Sequence, residues 1–474
     1  MPEIGLVDAF IVLKILSNFL RFLGVVLIIP AIIAIYYGEI FYAEVFLYMA
    51  LILTVSFSIS YFLLGKKETK IKHAIVAIAL GWFVVGAVSM IPFVIWGMDP
   101  VDAYFESISG WSTTGLTMIE KPEVLPYSLN FWRGFIQWLG GFGIVILALM
   151  FYERPKTAQE LFRAEGRSED FYINFSKIAR LIVGIYTFYT LLGIILFLLS
   201  GMALFDATVH AFTTIATGGF STRSEGLGSF GLRAMVSAVI IMLAGGISFV
   251  SHRELLKGNF CGFFSNPEIK LMFAILFSFT VLIFFSSLTP GIFYAQFFYA
   301  VSALTGTGAT ADITITQLQS FTIFVIILLM ISGACYGSTA GAIKLWRTLI
   351  AFKVVRREIY RALLPQQAVI PLRVGNKVLS DENALNALAY IALYVALLLG
   401  GSILFMLAGY TAKESIFLVA SAQGNVGLNI ISGQAWFNMN WVLKILLCFH
   451  MILGRMEIIP FLILLRSFGV IRRV

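Results

Sequence analysis

Charge is the scarcest property of this sequence. Asp, Glu, Lys and Arg together make up 12% of 474 residues, against about 25% in a typical soluble protein, which excludes a soluble globular enzyme. Cysteine is scarce too: Cys261, Cys335 and Cys448 lie far apart with no CxxC spacing. Neither a disulfide framework nor a zinc site is indicated, and the three read as small buried apolar residues. There are four histidines and no HExxH, GxSxG or Walker sequence. An enzyme is therefore not expected, and no nucleotide site supplies energy from within the chain. No cleavable leader is expected either, because the first apolar stretch contains Lys14 and Arg21 and runs to about Tyr37, longer than a signal h-region.

Apolar residues, by contrast, make up 59% of the chain, and the mean hydropathy is +0.93. At roughly 20 residues per bilayer span, this suffices for about ten helices. A β-barrel is excluded because barrel strands alternate polar and apolar residues, and runs such as residues 184–200 show no such alternation. Apolar runs between charged breaks predict spans near 9–37, 41–64, 74–97, 130–151, 178–200, 229–250, 269–288, 321–350, 385–408 and 437–465. The formal charge of +8 gathers in every second loop. These loops hold Lys66, Lys67, Lys70 and Lys72; Arg154, Lys156, Arg163 and Arg167; Arg253 and Lys257; and Lys353, Arg356, Arg357, Arg361, Arg373 and Lys377. The tail adds Arg466, Arg472 and Arg473, whereas the intervening segments hold little beyond Lys121, Arg223 and Lys413. The positive-inside rule then puts both termini in the cytoplasm of a multi-pass plasma- or inner-membrane protein.

The segments after the third, fifth, seventh and ninth spans begin apolar and then become rich in Gly, Thr and Ser. They suit a half-helix that dips in and a strand that climbs out, which is tolerated where backbone is buried in protein or lines a watery cavity. Residues 102–117, 206–221, 295–310 and 414–429 align without a gap on Gly115, Gly219, Gly308 and Gly427. Six residues earlier stand Ser109, Thr213, Ser302 and Ser421; two residues later come Thr117, Ser221, Thr310 and Asn429. Three of the units open with a carboxylate, Asp102, Asp206 or Glu414, and one with Ala295; an acid there is expected to cap the half-helix. The opposite helix end carries negative partial charge and would favour a dehydrated cation at the membrane centre.

Glycine suits a pore loop because it adopts backbone angles that side chains resist and lets four loops converge. The neighbouring hydroxyls are expected to pin each loop by side-chain-to-backbone bonds. Close helix packing is the alternative role for such glycines, and it explains one better than four in register. The expected fold is an all-α polytopic membrane protein. Four pseudo-repeats of helix, pore loop and helix, over 73–177, 178–268, 269–383 and 384–474, surround a central pore; two extra transmembrane helices and a basic loop in 1–72 precede them.

Five motifs in order, TTGLT at 113–117, RGFIQWLGGFGIVIL at 133–147, ATGGFS at 216–221, GSTAGAIK at 337–344 and GRMEI at 454–458, carry a resemblance. The chain resembles the TrkH, KtrB and plant HKT superfamily of potassium transporters, closest to TrkH because two spans precede the first repeat. The resemblance implies a potassium filter of backbone carbonyls from Thr113, Thr114, Gly115, Thr217, Gly218, Gly219, Gly306, Thr307, Gly308, Asn425, Val426 and Gly427. In the plant relatives a serine at the first anchor goes with sodium preference, so Gly115 favours potassium. The third loop departs from the others in having Ala309 after its glycine.

The resemblance also implies a gating loop where the last helix of the third repeat breaks, at 332–344. Gly333, Gly337, Ser338, Thr339 and Gly341 supply what such a break needs, since glycine lowers helix propensity and hydroxyls satisfy freed backbone. Cys335 and Tyr336 are bulky for such a loop; a Gly-rich helix packed on its neighbours is the alternative. Arg455 lies inside the last span and is a functional-site hypothesis by default. The resemblance assigns it to the pore beside the gate, where it repels cations while the path is shut; the alternative is an ion pair with Glu457 or another acid. His450 is read as a helix-contact histidine or a proton relay, and Glu106 and His210 as bonding to the filter wall or an entry vestibule. Arg133, Arg233 and Lys444 read as snorkelling residues at outer helix starts.

A secondary cation carrier coupling potassium to protons or sodium is the alternative function, because carriers also use repeats and broken helices; four equivalent loops favour a channel-like path. The resemblance further implies a homodimer and a cytoplasmic nucleotide-binding regulatory subunit of the TrkA or KtrA kind. Any regulatory nucleotide would sit on that partner, with potassium ions and no cofactor in this chain. Membrane lipid is the other expected partner, and nucleic acid is not one. Uptake would be driven by membrane voltage, about 2.3 kcal/mol per charge per 100 mV.

Overall fold

The computed structural model describes residues 6–63, 71–150, 175–286, 290–365, 370–375, 377–431, 433–456, 458 and 461–462. Lys66, Lys67, Lys70, Arg154, Lys156, Arg163, Arg167, Glu457, Arg466, Arg472 and Arg473 lie outside the described residues. The described chain is helical apart from one antiparallel hairpin, β1 Leu372–Val374 and β2 Lys377–Leu379, in which Arg373 lies opposite Val378. The protein is an all-α polytopic membrane protein.

The chain opens with α1 (Leu6–Val26), α2 (Ile28–Tyr36) and α3 (Ile40–Leu63). Helices α1 and α3 pack side by side, and α2 reaches α7. The remaining elements fall into four units of long helix, short helix, loop and second helix. The first holds α4 (Ile71–Ser89), α5 (Ile91–Trp96), α6 (Pro100–Trp111) and α7 (Tyr127–Met150). The second holds α8 (Phe175–Leu199), α9 (Leu204–Ile215), α10 (Leu232–Gly246) and α11 (Phe249–Leu256). After the short α12 (Phe260–Ser265) come α13 (Pro267–Ser286), α14 (Phe293–Thr305), α15 (Ser320–Ser332) and α16 (Leu345–Ala362). The fourth holds α17 (Asp381–Leu407), α18 (Ala412–Gln423), α19 (Gln434–Phe437) and α20 (Trp441–Met456).

The short helices α6, α9, α14 and α18 have 12, 12, 13 and 12 residues. At 1.5 Å per residue they are about 18 Å long, roughly half the hydrocarbon thickness. Side-chain caps start two of them: Asp99 accepts from the Val101 N–H with Pro100 in the first turn of α6, and Thr411 with Glu414 forms a capping box on α18. The expected acid cap holds for Glu414, which accepts the Thr411 N–H in that box, and is corrected for Asp102 and Asp206. Asp102, Asp206 and Glu414 sit inside the first turn, three residues past the N-cap, where the helix dipole still favours a carboxylate.

Among the described residues, six helical stretches are long and apolar enough to cross a membrane: Ala9–Tyr36, Ile40–Phe62, Ile75–Trp96, Arg180–Leu199, Pro267–Phe285 and Asp381–Leu407. The second helices of the units depart from the hydropathy reading. The span expected over 229–250 bends by 109° between α10 and α11. That expected over 321–350 leaves the helix at Gly333 and resumes at Leu345. Hydropathy misses both breaks because Gly, Ala and Ser are small and weakly polar, yet glycine disfavours helix. Cys335 and Cys448 are buried, but Cys261 on α12 is exposed rather than buried as expected; that short helix buries Phe263 instead.

The tight α1–α3 contact rests on Gly24, where a Cβ would come within 2.8 Å of the Thr54 backbone nitrogen. Gly24→Leu is expected to force the helices apart at a cost of about 1–3 kcal/mol, the range for overpacking, and to lower the thermal unfolding midpoint in detergent. Gly184→Ala is the control. A Cβ there meets nothing within 4 Å, so the midpoint should hold or rise.

Candidate functional site

The loops that follow the four short helices converge and close on each other in chain order. A Cβ added at Gly115 would collide with the Gly218 carbonyl oxygen, one at Gly219 with that of Thr307, one at Gly308 with that of Val426, and one at Gly427 with that of Thr114. Each anchor glycine thus abuts the residue preceding the next anchor, and the fourth loop returns to the first. The anchors have left-handed φ of 89°, 72°, 71° and 94°. Two residues earlier, Thr113, Thr217, Gly306 and Asn425 have φ of 55°, 52°, 75° and 52°. The residue between them does not have positive φ, so the same alternation recurs in all four loops. The twelve residues expected to form a filter are the ones brought together here.

Each loop is tied to its own short helix by one repeated main-chain bond. The carbonyls of Ser109, Thr213, Ser302 and Ser421 accept from the N–H of Thr114 (2.9 Å), Gly218 (2.8 Å), Thr307 (2.8 Å) and Val426 (2.9 Å). The expected pinning by the hydroxyls at these positions holds in two loops. Ser302 Oγ donates to the Ala309 carbonyl at 2.9 Å, and Ser421 Oγ accepts the Gly427 N–H at 3.1 Å. Ser109 Oγ has no bond partner and Thr213 Oγ1 turns back to its own helix. The carbonyl does the shared work because every residue type provides one. Farther along, Thr117, Ser221 and Asn429 accept from the N–H two residues on and fold the chain away from the ring.

Buried polar side chains brace these exits. Glu106, fully buried, accepts from Thr117 Oγ1 and from the Met118 N–H at 2.9 Å. Arg133 Nε donates to Glu106 at 2.8 Å, and its other nitrogens reach Asn130, Thr117 and the Ser221 carbonyl. The guanidinium also lies 4.5 Å from the centre of the Phe220 ring. Arg133 is 1% exposed, so the snorkelling role is corrected: a buried carboxylate draws it inward. Lys444 is corrected likewise. It is buried, pairs with Asp102 at 2.5 Å and donates to the Phe437 carbonyl. Arg233 is exposed at the start of α10. His210 bridges the Asp206 carbonyl and Ser221 Oγ. The seams are stitched by Arg133 to Ser221, by the Gly228 N–H to the Thr310 carbonyl, and by Trp436 Nε1 to the Thr117 carbonyl.

Directly against this ring lies the non-helical stretch 333–344. Thr339 Oγ1 meets Thr217 Oγ1 at 3.0 Å and the carbonyls of Ile215 and Gly245. Gly341 abuts Asn425 closely enough that a Cβ would strike the Asn425 Oδ1. Gly333 and Gly337 have left-handed φ, and Ser338 Oγ closes a turn on the Cys335 carbonyl. Cys335 is accommodated in full burial with its N–H on the Gly246 carbonyl. Arg455 donates to the Thr339 carbonyl and, at 2.6 Å, to the Gly140 carbonyl. Ring, loop and arginine are therefore contiguous.

One residue, Gln137, escaped the sequence reading, and so did the side-chain role of Asn425, expected there only as a backbone ligand. Gln137 grips the second loop at both amide ends, donating to the Gly218 carbonyl at 2.7 Å and accepting the Phe220 N–H at 3.1 Å. Asn425 donates to Thr114 Oγ1 and to the Met451 carbonyl, so one side chain joins two loops and the last helix. An amide within an apolar helix was the available signal for Gln137. His450 bonds Gln423 Oε1 at 3.0 Å, and Gln423 in turn donates to the Tyr394 carbonyl.

Comparison with known proteins follows the same outline. The family model of TrkH, described as a cation transport protein, matches residues 45–293 and 267–468. An uncharacterized cation transporter of Methanocaldococcus jannaschii is 33% identical over 461 residues, spanning 96% of this chain and 94% of its own. The Trk system potassium uptake protein TrkH of Escherichia coli K12 is 29% identical over 421 residues, spanning 84% and 86%. The crystal structure of the potassium transporter TrkH from Vibrio parahaemolyticus superposes with a TM-score of 0.85 at 26% identity, over 96% of this chain and 98% of that one.

Removing one partner of the buried Arg133–Glu106 pair should cost about 3–5 kcal/mol, because the other charge is left uncompensated. Arg133→Met is expected to lower the unfolding midpoint in detergent sharply. Combining it with Glu106→Gln should cost less than the sum, and a double-mutant cycle with no coupling would show that the pair does not brace the loops.

Proposed function

The chain belongs to the TrkH family of cation transport proteins, and we propose that it carries potassium into the cell through a channel-like pore filtered by the ring set at Gly115, Gly219, Gly308 and Gly427. The observation that carries this reading is the head-to-tail closure of the four loops, each glycine against the carbonyl before the next. Carbonyl oxygens held in such a ring replace the hydration shell of an entering ion. The negative ends of α6, α9, α14 and α18 add to the attraction. Potassium is the substrate here, and the carbonyls of residues 113–115, 217–219, 306–308 and 425–427 are its ligands.

In this reading the four units are the pseudo-repeats 73–177, 178–268, 269–383 and 384–474 behind the two helices of 1–72. Residues 333–344 are the gate, supported by the contact of Thr339 with Thr217 and with Arg455. The guanidinium repels cations below the filter while the loop is in place. A homodimer associated with a cytoplasmic nucleotide-binding ring of the TrkA or KtrA kind supplies the control that this chain lacks, with both termini on the cytoplasmic side. Voltage drives the flux, at about 2.3 kcal/mol per charge per 100 mV.

Purified protein in liposomes tests the reading by rubidium uptake with competing cations. Potassium should compete and sodium should not; equal competition by sodium would remove the filter assignment. Gly115→Ser places a side chain against the Gly218 carbonyl and is expected to lower the potassium-over-sodium ratio about tenfold, equivalent to about 1.4 kcal/mol. Arg455→Ala should raise basal rubidium flux several-fold, and an unchanged flux would separate the arginine from the gate.

A further inference from the structure

One buried carboxylate belongs neither to the ring nor to its braces. Glu268 lies in the first turn of α13 and is 7% exposed. Its backbone N–H is held by Asn266 Oδ1 at 2.9 Å, and its Oε2 accepts the backbone N–H of Tyr336 at 2.6 Å. Tyr336 stands in the middle of the non-helical stretch, between the buried Cys335 and the left-handed Gly337. A carboxylate buried at a helix end that spans a membrane is expensive unless it serves a partner. Here the partner is a main-chain N–H freed by the helix break.

The neighbours of Tyr336 connect this bond to α16. Its ring lies 5.3 Å from Lys344 Nζ and 5.8 Å from the Arg347 guanidinium, and Arg347 also covers Tyr390 of α17 at 3.9 Å. Lys344 has a left-handed φ of 71° and starts α16. That helix carries Arg356 and Arg361 exposed on its far turns. Any displacement of α16 therefore shifts the cations that flank Tyr336.

We propose that Glu268 is the latch of the gating loop: its carboxylate holds the Tyr336 N–H and so keeps residues 333–344 under the filter until movement of α16 draws Tyr336 away. This rests on reading that stretch as the gate. The bond suits a two-state device. A charge-assisted hydrogen bond is strong in a dry site, and once the inner mouth opens, water solvates the carboxylate and lowers the cost of leaving the bond broken. Glu268 acts through the loop, as a positioning residue, and makes no contact with the ion.

Cys335, adjacent to the latched residue, provides a reporter that does not depend on flux. In a Cys261→Ser, Cys448→Ala background, Cys335 is the remaining thiol, and its modification by a charged, water-soluble thiol reagent reads the position of the loop. Glu268→Ala should speed that modification and raise basal rubidium flux by about tenfold, the change that loss of one charge-assisted bond produces in a two-state equilibrium. Glu268→Gln keeps an acceptor oxygen but loses the charge, and should fall between the parent and Glu268→Ala in both readouts. If Glu268→Ala does not give monodisperse protein, Glu268→Leu, which keeps apolar bulk, takes its place. Unchanged Cys335 reactivity in the Ala and Leu variants would overturn the latch, as would a Gln variant as reactive as Ala. Faster modification without any rubidium flux would support the latch and remove the channel reading instead.

Discussion

The structure depends on one steric condition: at four places a Cα must rest against the carbonyl of the following unit, where no Cβ fits. Because the contacts run from the first unit to the second, third and fourth and back to the first, no loop can shift alone. A displacement at one anchor presses on the next carbonyl, and close-packed interiors transmit such strain. The short helices exist to meet this condition. Each ends where its loop begins, and each offers the same main-chain carbonyl, six residues before the anchor, to hold the loop in place.

The shared geometry is reached with different side chains. Nine residues before the anchor, Glu106, His210 and Tyr299 each hold the outgoing segment of their own unit, through Thr117, Ser221 and the Ile313 carbonyl respectively. The fourth unit has Leu418 there, and its Trp436 bonds the Thr117 carbonyl of the first. These polar side chains sit in an otherwise apolar interior, where an unsatisfied group is costly and a satisfied one restricts geometry. A buried ion pair such as Arg133–Glu106 is weak evidence for net stability. Its consequence here is positional, because it ties the exits of the first and second loops together.

Against the ring, Thr339 joins two parts of the structure. Its hydroxyl faces the second loop and its carbonyl faces Arg455, so the state of the broken helix and the placement of the fixed charge are coupled by direct contact. Asn425 adds a second joint between the first loop, the fourth loop and the last helix. A rearrangement of residues 333–344 is thereby felt at the ring without any long relay.

How much of this was legible follows from the range of each interaction. Composition and hydropathy alone determined a polytopic helical membrane protein, since backbone in lipid must satisfy itself. The gapless register of four glycines with their flanking hydroxyls picked out the four loops that converge, because a backbone conformation that excludes Cβ leaves its mark on the local sequence. Hydropathy misjudged the α10–α11 bend and the break at Gly333, where small residues pass for apolar helix. It also treated Arg133 and Lys444 as interfacial, since a lone cation at a helix start looks the same whether it faces water or a buried acid. Only the tertiary structure decided that Lys444 meets Asp102, 342 residues away, that Arg455 meets Thr339, and that each glycine meets the next unit's carbonyl. Periodicity and propensity encode the path of one segment, whereas these contacts depend on how separate segments dock, and that is set by the packing of the whole chain.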